Sequence, residues 1–214
     1  MSDFFEPPPE SPVPEPQRYR TPPWFGAPSG TLPGVVAVER VLAQTDGVAV
    51  CVTRFAGYPT GFEFDVVTMG AAGQDDFDPL MFHHHHRGRR GAADGIPPEV
   101  LRIGVQFSDG SKATNTGGFH HDRQPPAGPV MHPRGGGGGG GRWSHTLWVW
   151  PLPPPGPLTL VCEWPAMGIA VTRSELDAKP ILDAAARAQV IFSDDHLPEP
   201  PDVDDGPSPA PVVR

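Results

Sequence analysis

Proline dominates both ends of this 214-residue sequence, and proline restricts a backbone more than any other residue. Ten of the 31 prolines lie in residues 1–33, and six more lie in residues 194–214. The few aliphatic residues between these prolines bury too little surface to offset the entropy of ordering the chain. The sequence therefore predicts a disordered proline-rich tail at 1–33, one domain at 34–193 and a disordered acidic proline-rich tail at 194–214.

The net charge of −9 is divided unevenly among these segments. Residues 194–214 contain six acidic residues and one arginine, and residues 1–33 contain four acidic residues and two arginines, which leaves −2 for the domain. Nucleic-acid binding depends on a surplus of Lys and Arg facing the phosphates. A nearly neutral domain beside an acidic tail therefore predicts no nucleic-acid partner, and the tail is interpreted as a solubilising extension.

No targeting segment is recognisable at the start of the sequence. Residues 1–7 lack the basic and apolar regions of a secretory signal, and no apolar run approaches the roughly 18 residues that a membrane span needs. We therefore expect a cytoplasmic protein with no membrane partner. In a reducing compartment, Cys51 and Cys162 are expected to be free thiols within buried strands.

Apolar residues recur at every second position between the tails, which is typical of β-strands. Strands are predicted at 35–42, 48–54, 62–66, 101–107, 112–115, 143–150, 158–164 and 190–192. Helical periodicity is confined to residues 177–189, where Asp177 is a candidate N-cap. The predicted fold class is all-β and mainly antiparallel, a two-layer β-sandwich with one short C-terminal helix.

The aromatic-rich strands at 143–150 and 158–164 are predicted to form a hairpin around a proline loop. Alternation makes both faces of the first strand apolar, with Trp148 and Trp150 on the same face. We therefore expect this hairpin to be covered on both sides, by the opposing sheet and by either the helix or the segment around Trp24.

Two low-complexity loop insertions are expected in the domain, at 70–98 and 117–141. The first contains four consecutive histidines, His83, His84, His85 and His86. Imidazole binds nickel and zinc, but a dedicated metal site draws its ligands from rigid elements at defined spacings. We therefore predict adventitious metal binding at this run and no metal site.

The second insertion ends in seven consecutive glycines, residues 135–141. A phosphate-binding loop needs a lysine followed by Ser or Thr, and a helix that begins at the glycines. This run instead leads into a predicted strand at Arg142. The glycines are therefore interpreted as a flexible linker, and no cofactor is predicted.

A candidate interaction motif lies in the N-terminal tail. Its residues are Arg18, Tyr19, Arg20, Trp24 and Phe25. Arg, Tyr and Trp supply much of the binding energy of protein interfaces, so the motif predicts a protein partner bound through the tail. A sheet edge is the other candidate surface. The alternative is that Trp24 and Phe25 pack against the chain's own domain.

Four segments are similar to a known set of proteins: residues 32–36 (LPGVV), 104–110 (GVQFSDG), 148–158 (WVWPLPPPGPL) and 162–165 (CEWP). They resemble a family of uncharacterised cytoplasmic β-domain proteins from high-GC actinobacteria. The resemblance implies a β domain and brings no activity, substrate or catalytic residue with it. It also implies that the His and Gly runs are insertions peculiar to this chain.

No motif in the sequence imposes a specific chemistry, so no catalytic residue is predicted. The first functional hypothesis is a non-catalytic protein-interaction or accessory module. The second is a metal-dependent or hydrolytic enzyme whose polar residues converge only in the fold, with His120, His121, Asp122 and His145 as candidates. The third is a glycan-binding sandwich, which requires an exposed ring at Trp148 or Trp164.

Overall fold

The computed structural model describes residues 20–71, 95–117 and 124–193. The strands in these ranges are β1 (Thr31–Leu32), β2 (Gly34–Gln44), β3 (Val48–Gly57), β4 (Phe62–Gly70), β5 (Arg102–Gln106), β6 (Lys112–Thr114), β7 (Val130–Gly139), β8 (Arg142–Trp150), β9 (Pro157–Trp164), β10 (Ile169–Asp177) and β11 (Gln189–Val190). A single α-helix, α1 (Lys179–Ala186), accompanies them in the described ranges.

The longer strands form two antiparallel sheets. One sheet has five strands in the order β2-β3-β4-β8-β7, and the other has four in the order β10-β9-β5-β6. β1 and β11 form a separate antiparallel pair. The two sheets share one core, whose largest fully buried side chains are Phe62, Phe64, Leu101, Ile103, Leu147, Leu158, Leu160, Trp164 and Ile181. The predicted antiparallel β-sandwich with one short helix is confirmed.

Strand β10 was not predicted. Its side chains alternate between half-buried and exposed positions after Ile169, so its sequence lacks the apolar face by which the other strands were recognised. The helix is shorter than predicted, because β10 extends to Asp177. The N-cap is Ala178 and not Asp177, although the Asp177 carboxylate accepts a hydrogen bond of 2.9 Å from the amide of Lys179, the first helical residue.

The predicted aromatic hairpin is wrong. β8 pairs with β4 and β7 in the five-stranded sheet, whereas β9 pairs with β10 and β5 in the other sheet. The proline-rich residues between them therefore connect the two layers rather than close a hairpin. Proline has no backbone N–H to donate to a neighbouring strand, and in this proline-rich segment the chain passes from one sheet to the other.

The run of glycines is also corrected by the structure. Residues 135–139 form the second half of β7, paired with β8, and are not a linker. A Cβ on Gly136 would overlap the His145 ring, and a Cβ on Gly138 would overlap the backbone of Arg142 and Trp143. Glycine thus leaves space for the neighbouring strand, and the segment 130–141 belongs to the sandwich and not to a loop insertion.

Glycine also determines where α1 lies. Gly34 and Gly57 are direct partners on β2 and β3, and a Cβ on either would overlap the backbone of Ala184 or Ala185. The helix therefore lies directly on the backbone of the two strands, with Ile181 buried in the core.

Residues 20–30 cover the outer face of the five-stranded sheet. Trp24 is only 9% exposed, and its ring meets the Trp150 ring edge-on at 5.9 Å. The Trp148 indole donates a hydrogen bond of 3.1 Å to the carbonyl of Pro23, and Arg134 donates one of 3.2 Å to the carbonyl of Phe25. Residues 20–33, which were expected to be part of a tail, therefore pack on the sandwich.

Candidate binding groove

The outer face of the four-stranded sheet carries a row of four residues, one from each strand. The strand register places Arg173 of β10 opposite Val161 of β9, Val161 opposite Gly104 of β5, and Gly104 opposite Thr114 of β6. Neighbouring strands lie about 4.8 Å apart, so this row is about 14 Å long. It runs across the strands from one edge of the sheet to the other.

The protein surface is depressed at the middle of the row, because Gly104 has no side chain and Val161 has a short one. Longer polar side chains stand on either side of it. Gln106 and Lys112 face each other in the next row, and Arg102 faces Glu163 in the row on the other side. Together these residues line a groove of about 270 Å³.

Gly104 lies in the interior of a strand, where glycine weakens a sheet and often marks a close approach of another chain. A Cβ at this position would lie 3.4 Å from the side chain of Thr114 and from the carbonyl oxygen of Ala113. These are ordinary contacts, so the fold itself has room for a larger residue. What the glycine provides is the depth of the groove.

The charges around the groove are mostly positive. Arg102, Lys112 and Arg173 outnumber the single acid Glu163, although the whole chain carries −9. Arg102 is held by an ion pair of 2.6 Å to Glu163 and a hydrogen bond of 3.0 Å to the carbonyl of Ile96. Within the described ranges, the side chains of Lys112 and Arg173 form no hydrogen bond or ion pair, and Glu175 lies two residues from Arg173 on the same exposed face of β10.

The structure describes three residues of the predicted interaction motif, Arg20, Trp24 and Phe25. Trp24 is buried and Phe25 is half-buried on the five-stranded sheet, whereas Arg20 is exposed. This outcome matches the alternative in which the two rings pack on their own domain, and those rings are not free to anchor a partner. Arg18 and Tyr19 lie outside the described residues.

The candidate enzymatic residues are not brought together in the part of the chain that the structure describes. His83, His84, His85, His86, His120, His121 and Asp122 lie outside it. His145 is buried in β8, where its ring stacks on Trp143 at 6.4 Å. Among the described residues, no group of three or more His, Cys, Asp or Glu could hold a metal ion.

Neither cysteine is suited to act as a nucleophile. Both thiols are free and buried. Burial raises the pKa of Cys51, and it raises the pKa of Cys162 to about 12. A nucleophilic cysteine requires the thiolate, so both side chains are neutral and unreactive near pH 7.

The glycan-binding hypothesis lacks the exposed ring that it requires. Trp148 is 0% exposed and Trp164 is 1% exposed. Each indole is also held in place, since Trp148 donates to the carbonyl of Pro23 and Trp164 donates to that of Glu99 at 2.9 Å. Both rings belong to the interior of the protein.

A second polar cluster lies on the outer face of the five-stranded sheet, and its groups bind one another. Asp65 accepts hydrogen bonds of 2.8 and 3.1 Å from the Arg54 guanidinium and one of 2.7 Å from the Thr146 hydroxyl. Tyr58 donates to Glu63 at 3.2 Å. These bonds join neighbouring strands and leave the Asp65 carboxylate well satisfied, so the cluster stabilises the sheet.

The residues of the groove were not predicted as a site. The alternation in β5 does indicate that Arg102 and Gln106 point away from the core. A glycine inside that strand is the one signal that could have indicated a groove. Arg173 could not be placed, because β10 was not recognised as a strand and its register with β9 depends on tertiary structure.

Comparisons with known proteins add no relative: the chain matches no protein-family model, no curated protein and no solved structure. The described ranges contain no helix of the length and apolar character that crossing a bilayer requires. By its fold and its groove, the protein belongs to the class of β-sandwiches, with a cationic groove across one outer face.

Proposed function

We propose that this chain is a non-catalytic binding module that holds a short acidic peptide segment of a partner protein in the groove. The observation that carries the proposal is the row Arg173, Val161, Gly104 and Thr114, a low path bordered by cations in an acidic protein. A chain in extended conformation advances about 3.4 Å per residue, so about four residues match the length of the row.

The lining favours a peptide over a sugar. None of the described residues that line the groove is aromatic, and sugars in protein sites commonly stack on aromatic rings. Val161 and Val171 offer small apolar surfaces, while Thr114 and Gln106 offer hydrogen-bonding groups. An extended segment with an apolar side chain over Val161 and carboxylates elsewhere along it would use all of these features.

The positions of the cations favour carboxylates near both ends of the ligand. Arg173 lies on β10 at one edge of the sheet, and Lys112 lies on β6 at the other edge. Exposed ion pairs contribute only about 0–1 kcal/mol each, so the apolar and hydrogen-bonding contacts must supply most of the binding free energy. We expect weak binding of an isolated peptide, with a dissociation constant on the order of 0.1–1 mM. Such weak binding suits a reversible partner.

The test is a titration of the full chain, labelled with ¹⁵N, with the peptide Gly-Glu-Val-Glu-Gly. We expect the largest amide shifts on β5, β6, β9 and β10, and at least a threefold weaker affinity for Arg173→Gln or Lys112→Gln. Arg40→Gln is the matched control, since Arg40 is an exposed arginine on β2 of the other sheet. The uncharged peptide Gly-Gln-Val-Gln-Gly serves as the control ligand.

Two further results complete this test. Gly104→Val should fill the floor of the groove and weaken binding while leaving the thermal melt cooperative, because a Cβ there makes ordinary contacts. Shifts spread over the whole surface, or equal affinities for the parent, Arg173→Gln and Arg40→Gln, would show that the groove is not the binding site.

A further inference from the structure

Strand β7 forms one edge of the five-stranded sheet, and the second half of this strand consists only of glycine. β7 pairs with β8 alone, and residues 135–139 are all exposed. The N–H and C=O groups on the open side of an edge strand are a template for another strand. We propose that residues 135–139 pair antiparallel with the same residues of a second copy of this chain and so join two five-stranded sheets. This inference does not depend on the peptide groove.

The other three edges of the two large sheets carry features that discourage such pairing. β6 is three residues long and includes Lys112, β10 carries Arg173 and Glu175 and has one shift of register, and β2 has two such shifts. Short length, charged side chains and bulges are the usual means by which proteins block an edge. Residues 135–139 have no charge, no proline and a regular register with β8. Of the four edges, this one is the most open to another strand.

The turn between β7 and β8 determines which glycines face the open edge. It consists of residues 140–141, both with positive φ, as in a type I′ turn. The residues that flank such a turn, here Gly139 and Arg142, are hydrogen-bonded to each other, and bonded pairs alternate along an antiparallel ladder. The backbone N–H and C=O groups of Gly136 and Gly138 therefore point away from β8 and are available to a second strand.

A two-fold axis at Gly137 uses all of these groups. Gly136 of each copy then faces Gly138 of the other, and the two pairs form about four hydrogen bonds. The two Gly137 residues face each other in the non-bonded pair between them, with Cα atoms about 4.5 Å apart. Pockets for side chains give specificity for a foreign strand, and a strand of glycine has none, whereas a second copy supplies an identical strand in a symmetric pairing. The occupant that fits this edge is therefore the chain itself.

The contacts with β8 explain only two of the five glycines. A Cβ on Gly136 or Gly138 would overlap β8, whereas a Cβ on Gly135, Gly137 or Gly139 would meet no described atom within 4 Å. Glycine inside a strand weakens a sheet and often marks a close approach of another backbone. Pairing with a second copy accounts for the three glycines that the fold of one chain does not need.

The paired segment is short, so the dimer is weak. Stable protein interfaces bury about 1,200–2,000 Å², and one short strand pair buries much less. We expect a dissociation constant on the order of 0.1–1 mM for the dimer. At micromolar concentrations the chain is then monomeric, and denaturation measured there reports on the single chain.

The experiment places charges at Gly137, where the two copies meet. Sedimentation velocity of the full chain is measured from about 10 μM to about 1 mM, a range that includes the expected dissociation constant. The samples are the parent, Gly137→Asp, Gly137→Lys and an equimolar mixture of these two variants. Val41→Asp is the matched control, since Val41 is exposed on β2 at the opposite edge of the same sheet. Circular dichroism establishes that each variant is folded.

We expect the parent and Val41→Asp to dimerise alike, and each Gly137 variant alone to dimerise at least about threefold more weakly, because like charges directly opposite each other destabilise a strand pair. The mixture should regain the dimer, since the charges are then opposite. A parent that stays monomeric throughout, a Gly137→Asp chain that dimerises like the parent, or a mixture that dimerises no better than either variant would overturn the proposal. Loss of the dimer in Val41→Asp would overturn it too, because β2 would then be the contact.

A second measurement needs only the parent chain. On dilution of the ¹⁵N-labelled protein, the amide resonances of Gly136 and Gly138 should shift most, because these amides lose their bonds to the second copy. Those of Gly137 and Gly139 should shift less, because these amides bond to β8 in both states. Concentration-dependent shifts that are largest on another surface would show that the chain associates elsewhere and not through β7.

Discussion

Glu63 is a carboxyl group in an unfavourable setting. It accepts a hydrogen bond from Tyr58, close to Arg134, which itself donates to the carbonyl of Phe25 in the covering segment. Burial raises the pKa of Glu63 above its ordinary value, and the bond from Tyr58 opposes that rise only in part. Burial likewise raises the pKa of Tyr58 to about 12, so the phenol stays protonated and continues to donate.

This shift predicts a pH dependence of stability. Because the folded pKa of Glu63 lies above the unfolded one, its contribution to stability is complete below the unfolded pKa and is lost as the pH rises through the folded pKa. Glu63→Gln removes the titration and retains an acceptor for Tyr58. Relative to the parent, the variant should therefore gain stability as the pH rises from 4 to 7.5.

Urea denaturation of both proteins at several pH values measures the difference. Glu39→Gln is the control, since Glu39 is an exposed acid on β2. A difference between Glu63→Gln and the parent that stays constant over this range would show that Glu63 titrates alike in the folded and unfolded states.

The tryptophans of β8 differ in burial although they share a face. Trp148 is completely buried under the N-terminal segment, whereas Trp150 is half-buried. Trp148 and Trp164 are fully buried, and Trp150 is not. The expectation that this face would be covered by the segment around Trp24 agrees with the contacts of Pro23 and Trp24.

The attachment of α1 depends on glycine at two strand positions. Gly57→Val should separate the helix from β2 and β3, because its Cβ would overlap the backbone of Ala185. We expect a loss of about 2 kcal/mol or more in the free energy of unfolding, as for other overpacked sites. Urea denaturation followed by circular dichroism measures this loss.

Gly137→Val is the matched control for that substitution. Gly137 also lies in a strand, but a Cβ there would meet no atom within 4 Å in the described structure. The control should change stability by less than about 0.5 kcal/mol, as surface substitutions usually do. If both variants lose the same stability, the loss at Gly57 does not come from the contact with the helix.

Removal of the N-terminal segment tests where the folded unit begins. A chain that starts at Arg20 should unfold like the full chain, whereas one that starts at Gly34 should lose about 3 kcal/mol or more, because it uncovers Trp148 and lacks Trp24. Guanidinium denaturation monitored by tryptophan fluorescence compares the three chains. Equal midpoints for the two shortened chains would mean that residues 20–33 add nothing to stability.

Alternation along the chain was sufficient to predict the class of fold and most of the strands. The period of two in β3, β4, β5 and β9 arises from which side of a sheet each residue faces, and each strand displays it without reference to the others. The hairpin of β5 and β6 was predicted for a similar reason, because its Asp109-Gly110 turn is local.

Long-range contacts decided the rest. The glycines of residues 135–139 form a strand because they leave space for the residues of β8. Residues 20–33 are not a tail because they cover Trp148, which would otherwise be exposed. The groove depends on the register that aligns Arg173, Val161 and Gly104 across three strands. Register and layer pairing follow from contacts between residues far apart in sequence, such as Phe62 and Val149, which are 87 positions apart. A period of two is the same whichever partner a strand selects.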